Sequence, residues 1–175
     1  MTRISPLAFL ATLGFAAMSF AQSRPTVPDA IQPPAGEQLV LVAHATGSQI
    51  YVCGTGADGK MQWTLKAPEA ELRDERGAVI GHHSAGPAWR HKDGSSVIGK
   101  ATAKTPSPDP DSVPWLLVTA VSHEGTGVLA HVSSIQRIHT KGGQPPPVDK
   151  CDASKQNLES WIPYTADYYF YAPGR

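Results

Sequence analysis

Short segments rich in β-branched and aromatic residues recur along most of the chain, separated by glycine-containing turns. Asp58-Gly59, Arg76-Gly77 and Asp93-Gly94 are three of these turns. Short runs of this kind between turn signals are typical of strands joined by hairpins, so the sequence predicts an all-β domain. The predicted strands cover residues 38–43, 49–53, 61–66, 78–82, 88–92, 96–100, 115–121 and 164–171. We expect a single compact β-sandwich or barrel of short antiparallel strands.

The segments between these strands carry other signals. Residues 105–114 include four prolines, which cannot donate to a strand ladder, and residues 141–147 are rich in glycine and proline, so both are predicted loops. Residues 128–140 have helical spacing but strand-like composition, and we favour a strand. Residues 152–158 predict one or two helical turns capped by Asp152. The nearly continuous apolar run at 115–121 predicts a central strand buried on both faces.

The N-terminus has the pattern of a cleaved export signal over residues 1–21. Arg3 precedes an apolar run that ends at Phe20, and Ser19 and Ala21 are small. Residues 22–36 are predicted to form a proline-rich extended leader, and residues 37–175 a single β-domain. No later apolar run approaches the roughly 20 residues of a transmembrane helix. We therefore expect an exported protein, periplasmic or extracellular, with no transmembrane segment in the mature chain.

The chain contains two cysteines, Cys53 and Cys151. An oxidising compartment favours a disulfide between them, with two free thiols as the alternative. Closing a loop of about 99 residues would stabilise the fold by about 4 to 5 kcal/mol in the chain-entropy model. Because the spacing is not Cys-x-x-Cys, we interpret the bridge as structural.

Charge and motif content argue against several classes of function. Lysine plus arginine and aspartate plus glutamate number 15 each, so no summed field would recruit nucleic acid. Residues 54–59 have the Gly-x-Gly-x-x-Gly spacing of dinucleotide sites, but a predicted strand follows where that site needs a helix. No Gly-x-Ser-x-Gly nucleophile motif occurs. The sequence thus predicts no cofactor and favours a non-enzyme over an enzyme.

A series of motifs covers nearly the whole predicted mature chain. They are Gly47-x-Gln49-Ile50-Tyr51-x-Cys53, Trp63-Thr64-Leu65-Lys66-Ala67-Pro68-Glu69-Ala70, Gly86-Pro87-x-Trp89, Pro114-Trp115-Leu116-Leu117, Ile135-Gln136-Arg137, Thr140-x-Gly142-Gly143 and the segment from Tyr164 to Tyr171. By these motifs the chain resembles a family of secreted bacterial and fungal domains, domain of unknown function 3455. The resemblance supports export and the β fold and implies no activity. Ser84 stands where the family tends to have an aromatic residue, which would leave a ligand site there more open.

Aromatic and charged residues supply the candidate binding site. Aromatic residues on several strands must share a face once a sheet forms. Alternation in the last strand places Tyr168 and Phe170 on one face and Tyr169 and Tyr171 on the other, so one pair is expected to form an exposed stacking surface. Glu69 and Arg137 lie within the family motifs and would pair with each other or face a ligand. The candidate ligand-binding residues are His83, Trp89, Arg137, Tyr169 and Glu69.

The densest titratable group consists of His82, His83, His91 and Asp93. Imidazoles with a carboxylate are ligands for zinc or copper, but adjacent histidines on a strand point to opposite faces, so these residues are only weak metal candidates and we predict no metal.

Three hypotheses for function follow from the sequence. The leading one is an exported, non-catalytic β-domain that binds a small molecule, glycan or envelope partner. A metal-dependent or hydrolytic enzyme that uses the histidine group is the second. A structural or stress-related envelope protein without a ligand is the third. The ligand and the oligomeric state stay open.

Overall fold

A computed structural model describes residues 23–174, so the predicted export signal lies outside the described residues. Eight antiparallel strands form one closed barrel, in which each strand pairs with the next and the last closes against the first. The predicted all-β class is confirmed, and the barrel is the architecture that forms. The strands are β1 Glu37–Thr55, β2 Met61–Arg73, β3 Val79–Ser84, β4 Ala88–His91, β5 Ser96–Thr105, β6 Trp115–Glu124, β7 Ser134–Gly142 and β8 Glu159–Pro173.

Helical structure in residues 23–174 is limited to single turns of 3₁₀-helix at Asp29–Ile31, Val148–Lys150 and Ala153–Lys155. Asp152 caps the last of these as predicted, because its side chain accepts a hydrogen bond from the Ser154 amide. Nowhere in this range does the chain form a helix with the length and apolar character needed to cross a membrane.

β1 is one strand of 19 residues, where the sequence predicts two strands and a turn. Gly47 falls between the predicted strands 38–43 and 49–53, but it lies inside β1 and pairs with Ala70 of β2. A Cβ atom added at Gly47 would lie 2.1 Å from the carbonyl oxygen of Glu69. The glycine therefore permits a close approach of two strands, and the predicted turn is wrong.

The two ends of the barrel differ. At the closed end, defined by the connections 74–78, 92–95 and 125–133, Leu129 and Val132 are fully buried inside the barrel. Asp93 holds the connection 125–133 in place. Its carboxylate accepts hydrogen bonds from the Ser95 amide and from the Val128 amide, both at 2.9 Å. These hydrogen bonds hold the pKa of Asp93 far below its usual value. Residues 128–133 belong to this connection and residues 134–140 to β7, so the prediction of one strand over residues 128–140 is corrected.

β6 is not the doubly buried central strand that its apolar sequence predicts. A closed barrel has no central strand, because every strand has one interior and one exterior face. Val118 points into the core, whereas Val121 is 59% exposed. Trp115 lies on the outer face and packs against Val27 and Ile31 of the N-terminal segment.

The N-terminal segment, residues 23–36, covers one part of the outer barrel face. Ile31 is fully buried, and its carbonyl oxygen accepts a hydrogen bond from Gln136 Nε2 at 2.7 Å. Tyr171 donates to Gln136 Oε1 at 2.6 Å, and the Arg24 guanidinium lies 5.5 Å from the centre of the Tyr171 ring. The expected exposed stacking surface is therefore wrong: Tyr171 is fully buried on this face.

The predicted disulfide is present. Cys53, at the end of β1, is bonded to Cys151, 98 residues later. Backbone hydrogen bonds flank the bridge, from Asn157 to the Cys53 carbonyl and from Cys53 to the Leu158 carbonyl. The bridge thus fastens the long β7–β8 connection to the opposite, open end of the barrel, defined by the connections 56–60, 85–87, 106–114 and 143–158.

Candidate functional site

A notch in the barrel wall leads to the interior on the side of the open end. The β3–β4 hairpin is short: β3 reaches only Ala70 of β2, and β4 reaches only Ile98 of β5. The first half of β2 and the second half of β5 therefore extend past the hairpin without a strand between them. Pro68 lies in this part of β2, which pairs with β1 and has no neighbouring strand on the side of the hairpin.

An interior cavity of about 180 Å³ lies behind the notch. Its wall is mostly apolar, and two exposed residues, Leu65 and Ala101, lie at its mouth. Residues of all eight strands and of the β3–β4 turn contribute to the lining. They are Gln49, Leu65, Pro68, His83, Pro87, Trp89, Ala101, Leu116, Val118, Arg137 and Tyr168.

Three aromatic rings form one side of the cavity. The His83 and Trp89 rings are stacked, with centroids 4.3 Å apart and planes 9° from parallel. The Tyr168 ring meets both of them edge-on, at 5.0 Å from His83 and 5.5 Å from Trp89. Such stacked and edge-to-face pairs fix the rings beyond what burial alone does, so this wall is rigid.

His83 is held neutral. Burial lowers its pKa to about 3, and the charge of Arg137 also disfavours the protonated form. Its Nδ1 atom lies 2.9 Å from the carbonyl oxygen of Ala88. Because a carbonyl oxygen only accepts, Nδ1 carries the proton and Nε2 keeps a free lone pair.

Arg137 is the positive charge of the cavity. Its Nε and Nη2 atoms donate to the carbonyl oxygen of Pro114, at 3.3 and 2.8 Å. None of the ion pairs within residues 23–174 includes Arg137. The Arg137 charge partly offsets the effect of burial, which raises the pKa of Tyr168. A partly buried guanidinium thus faces an apolar space without a carboxylate.

Two further donors in the lining are buried without a hydrogen-bond acceptor in the described part of the chain. They are Gln49 Nε2 and Trp89 Nε1. Gln49 lies beside the Tyr164 hydroxyl and slightly opposes the rise that burial causes in the pKa of Tyr164. Buried polar atoms without partners are uncommon in folded proteins. Trp63 and Trp115 have such indole nitrogens outside the cavity as well, so the signal at this site is the set of free donors together with the Arg137 charge, not the Trp89 indole alone.

A larger groove of about 360 Å³ runs along the proline-rich loop on the outside of the barrel. Several of its polar groups already have partners: Ser112 Oγ accepts from the Gly142 amide, and Asp109 pairs with Lys141. Gln144 donates to the Ser112 carbonyl oxygen at 2.8 Å. The interior cavity is therefore the stronger candidate for a ligand site.

The structure brings together three of the five residues that the sequence nominated. His83, Trp89 and Arg137 line the cavity. Tyr169 instead lies on the outer face against the N-terminal segment, and Glu69 is exposed on the outside of β2, so these two residues neither face the cavity nor pair with Arg137. Sequence reasoning missed Gln49 as a lining residue, although a glutamine in an otherwise apolar strand was a visible signal.

The histidine group proposed as an alternative site is split between the two sides of the barrel wall. His82 is exposed, whereas His83 points inward. His91 Nδ1 lies 3.0 Å from Asp93 Oδ2, which already accepts the Val128 amide. Within residues 23–174 no group of three or more histidine, cysteine, aspartate or glutamate residues is arranged to hold a metal ion.

Comparison with known proteins gave one match. A family model described as "Protein of unknown function (DUF3455)" matches residues 34–172, which include all eight strands up to residue 172. No curated protein and no solved structure matched the chain.

Proposed function

We propose that this chain, which belongs to the DUF3455 family, is an exported binding protein that holds a small molecule inside its barrel. One observation carries the proposal: polar groups with unused hydrogen-bond donors line a preformed apolar cavity. Small-molecule sites typically combine an apolar wall with a few polar groups that orient the ligand. Gln49, Trp89 and Arg137 supply such groups here.

The size of the cavity favours a small molecule over a glycan or an envelope protein. A cavity of about 150 Å³ admits benzene, and this one measures about 180 Å³. The aromatic rings that would stack on a sugar lie inside the barrel, on the wall of this cavity. A ligand with about one ring fits this space, whereas a polysaccharide chain does not.

A binding role is also favoured over hydrolysis. Hydrolysis needs a nucleophile or a pair of acid and base groups within reach of each other. Among the described lining residues, His83 is the one imidazole, no carboxylate is present, and the ring is neutral and stacked on Trp89. This environment suits recognition better than proton transfer.

Export is part of the proposal. The disulfide between Cys53 and Cys151 supports it, because such bonds persist mainly in oxidising compartments.

A mouth-blocking substitution tests the proposal. Ala101→Trp places a large side chain at the cavity entrance, and Lys100→Trp places the same side chain on the opposite face of β5 as a control. We expect single-ring aromatic compounds, titrated one at a time by calorimetry, to bind the wild type and Lys100→Trp. Ala101→Trp should weaken that binding at least tenfold. Equal binding by the two variants would contradict an interior site.

A further inference from the structure

We infer that the ligand is a single-ring aromatic carboxylic acid that also carries a hydroxyl group. This inference rests on the proposed function and specifies the chemistry of the same cavity. It follows from which hydrogen-bonding groups the cavity leaves without partners. Arg137, Gln49 and Trp89 offer donors, one of them with a positive charge, and His83 offers a single neutral acceptor.

The positive charge calls for an anion. A guanidinium has five N–H groups, and Arg137 uses two of them on the Pro114 carbonyl and lies beside the Tyr168 hydroxyl, which leaves donors for a ligand. A charge that faces an apolar space is costly unless it is paired. The planar fork of arginine matches a carboxylate in a bidentate arrangement. Since Arg137 is the only cationic residue in the described lining, a monoanion balances it better than a phosphate dianion.

The apolar walls of the cavity favour a flat apolar ligand. Pro68, Leu116 and Val118 lie in the lining together with the stacked rings of His83 and Trp89. A flexible chain would lose more conformational entropy in such a rigid space than an aromatic ring does. One ring with a carboxylate is therefore the favoured occupant.

The neutral histidine calls for a donor. His83 Nε2 has a free lone pair and no hydrogen-bond partner in the described part of the chain, since the ring is held through Nδ1 alone. A hydroxyl group on the ring would supply the missing donor. A site that contains such a group rejects analogues without the hydroxyl, because the buried acceptor then stays unpaired.

Calorimetric titration with a matched set of compounds tests the inference. The set is 3-hydroxybenzoate, 4-hydroxybenzoate, benzoate, phenol and 4-hydroxybenzyl alcohol. We expect one hydroxybenzoate isomer to bind tightest and 4-hydroxybenzyl alcohol, which lacks the charge, to bind about 10- to 100-fold more weakly. Benzoate, which lacks the hydroxyl, should bind about tenfold more weakly than the best isomer.

Arg137→Gln separates recognition of the charge from recognition of the ring. The substitution should weaken hydroxybenzoate binding about 10- to 100-fold and leave phenol binding within about threefold. The affinity of Arg137→Lys for hydroxybenzoate should lie between those of the wild type and Arg137→Gln, since lysine keeps the charge and lacks the planar fork of arginine. A thermal melt of each variant shows whether loss of the Pro114 hydrogen bonds has unfolded the protein, and the phenol titration shows whether the cavity is intact.

The inference is overturned if the neutral alcohol binds as tightly as the acid, or if Arg137→Gln weakens phenol as much as hydroxybenzoate. It is also overturned if none of the five compounds binds. The proposed function fails on a different result, when Ala101→Trp and Lys100→Trp bind a wider panel of single-ring compounds equally well.

Discussion

A Cys53→Ala/Cys151→Ala variant is expected to unfold about 10 to 20 °C below the wild type under non-reducing conditions. The bridge closes a loop across 98 residues of sequence, and a loop of that length is worth about 4 to 5 kcal/mol in the chain-entropy model. In a domain of this size each kcal/mol shifts the melting temperature by about 2 to 4 °C. Alanine is preferred to serine because Cys53 is fully buried and a hydroxyl there would lack a partner. Differential scanning calorimetry measures the shift.

The control for this variant is the wild type in the presence of a reductant. Reduction should lower the wild-type melting temperature to about that of the double variant, and the variant should not respond to reductant. Equal melting temperatures for the two proteins without reductant would show that the bridge does not hold the β7–β8 connection to the barrel.

Acidification between pH 6.5 and about pH 4.5 is expected to destabilise the protein through His83. Burial lowers the pKa of this residue from 6.5 to about 3, so in that window the unfolded chain binds a proton that the folded protein does not. The free energy of unfolding therefore rises with pH there and falls on acidification. Each pH unit below 6.5 costs up to about 1.4 kcal/mol, or roughly 3 kcal/mol at pH 4.5. Urea unfolding at several pH values measures this slope.

His83→Phe keeps a flat ring on Trp89 and removes the titrating group. The variant should be less stable at neutral pH, because the Ala88 carbonyl loses its donor, yet its stability should vary much less between pH 6.5 and 4.5. His82→Phe, at the exposed neighbouring position, is the matched control and should retain the wild-type slope. An unchanged slope in His83→Phe would mean that His83 is not buried neutral. Asp93 also has a lowered pKa, but its contribution to the free energy of unfolding is lost only as the pH falls below the usual aspartate value of 3.8.

Local signals in the sequence predicted most turns correctly. Gly59, Gly77 and Gly94 all have positive φ angles, which glycine adopts without strain, and each lies in a turn between two strands as expected. Gly47 shows the limit of this signal, because a glycine that permits close strand contact looks the same in sequence as one in a turn. The notch is also invisible locally, since it depends on where β3 and β4 stop pairing with their neighbours.

The binding site was only partly predictable for a related reason. Alternation along β8 correctly separated Tyr168 from Tyr169, but it does not say which face is the interior. That choice depends on the closure of the barrel and on the N-terminal segment, which covers Tyr169 from outside. Its place in a family motif makes Arg137 a candidate binding residue, whereas its position in the cavity follows from its pairing with Tyr168 across β7 and β8.

The most direct test of the interior site is the ¹H–¹⁵N NMR spectrum of the tryptophan indoles during titration with 4-hydroxybenzoate and 3-hydroxybenzoate. The protein has four tryptophans, and among them Trp89 lines the cavity. Trp63 and Trp115 also have buried indole nitrogens without partners in the described residues, and Trp161 is exposed, so they serve as internal controls. We predict that the Trp89 signal moves on ligand addition while the other three stay in place. Movement of the Trp161 signal with an unchanged Trp89 signal would contradict binding inside the barrel.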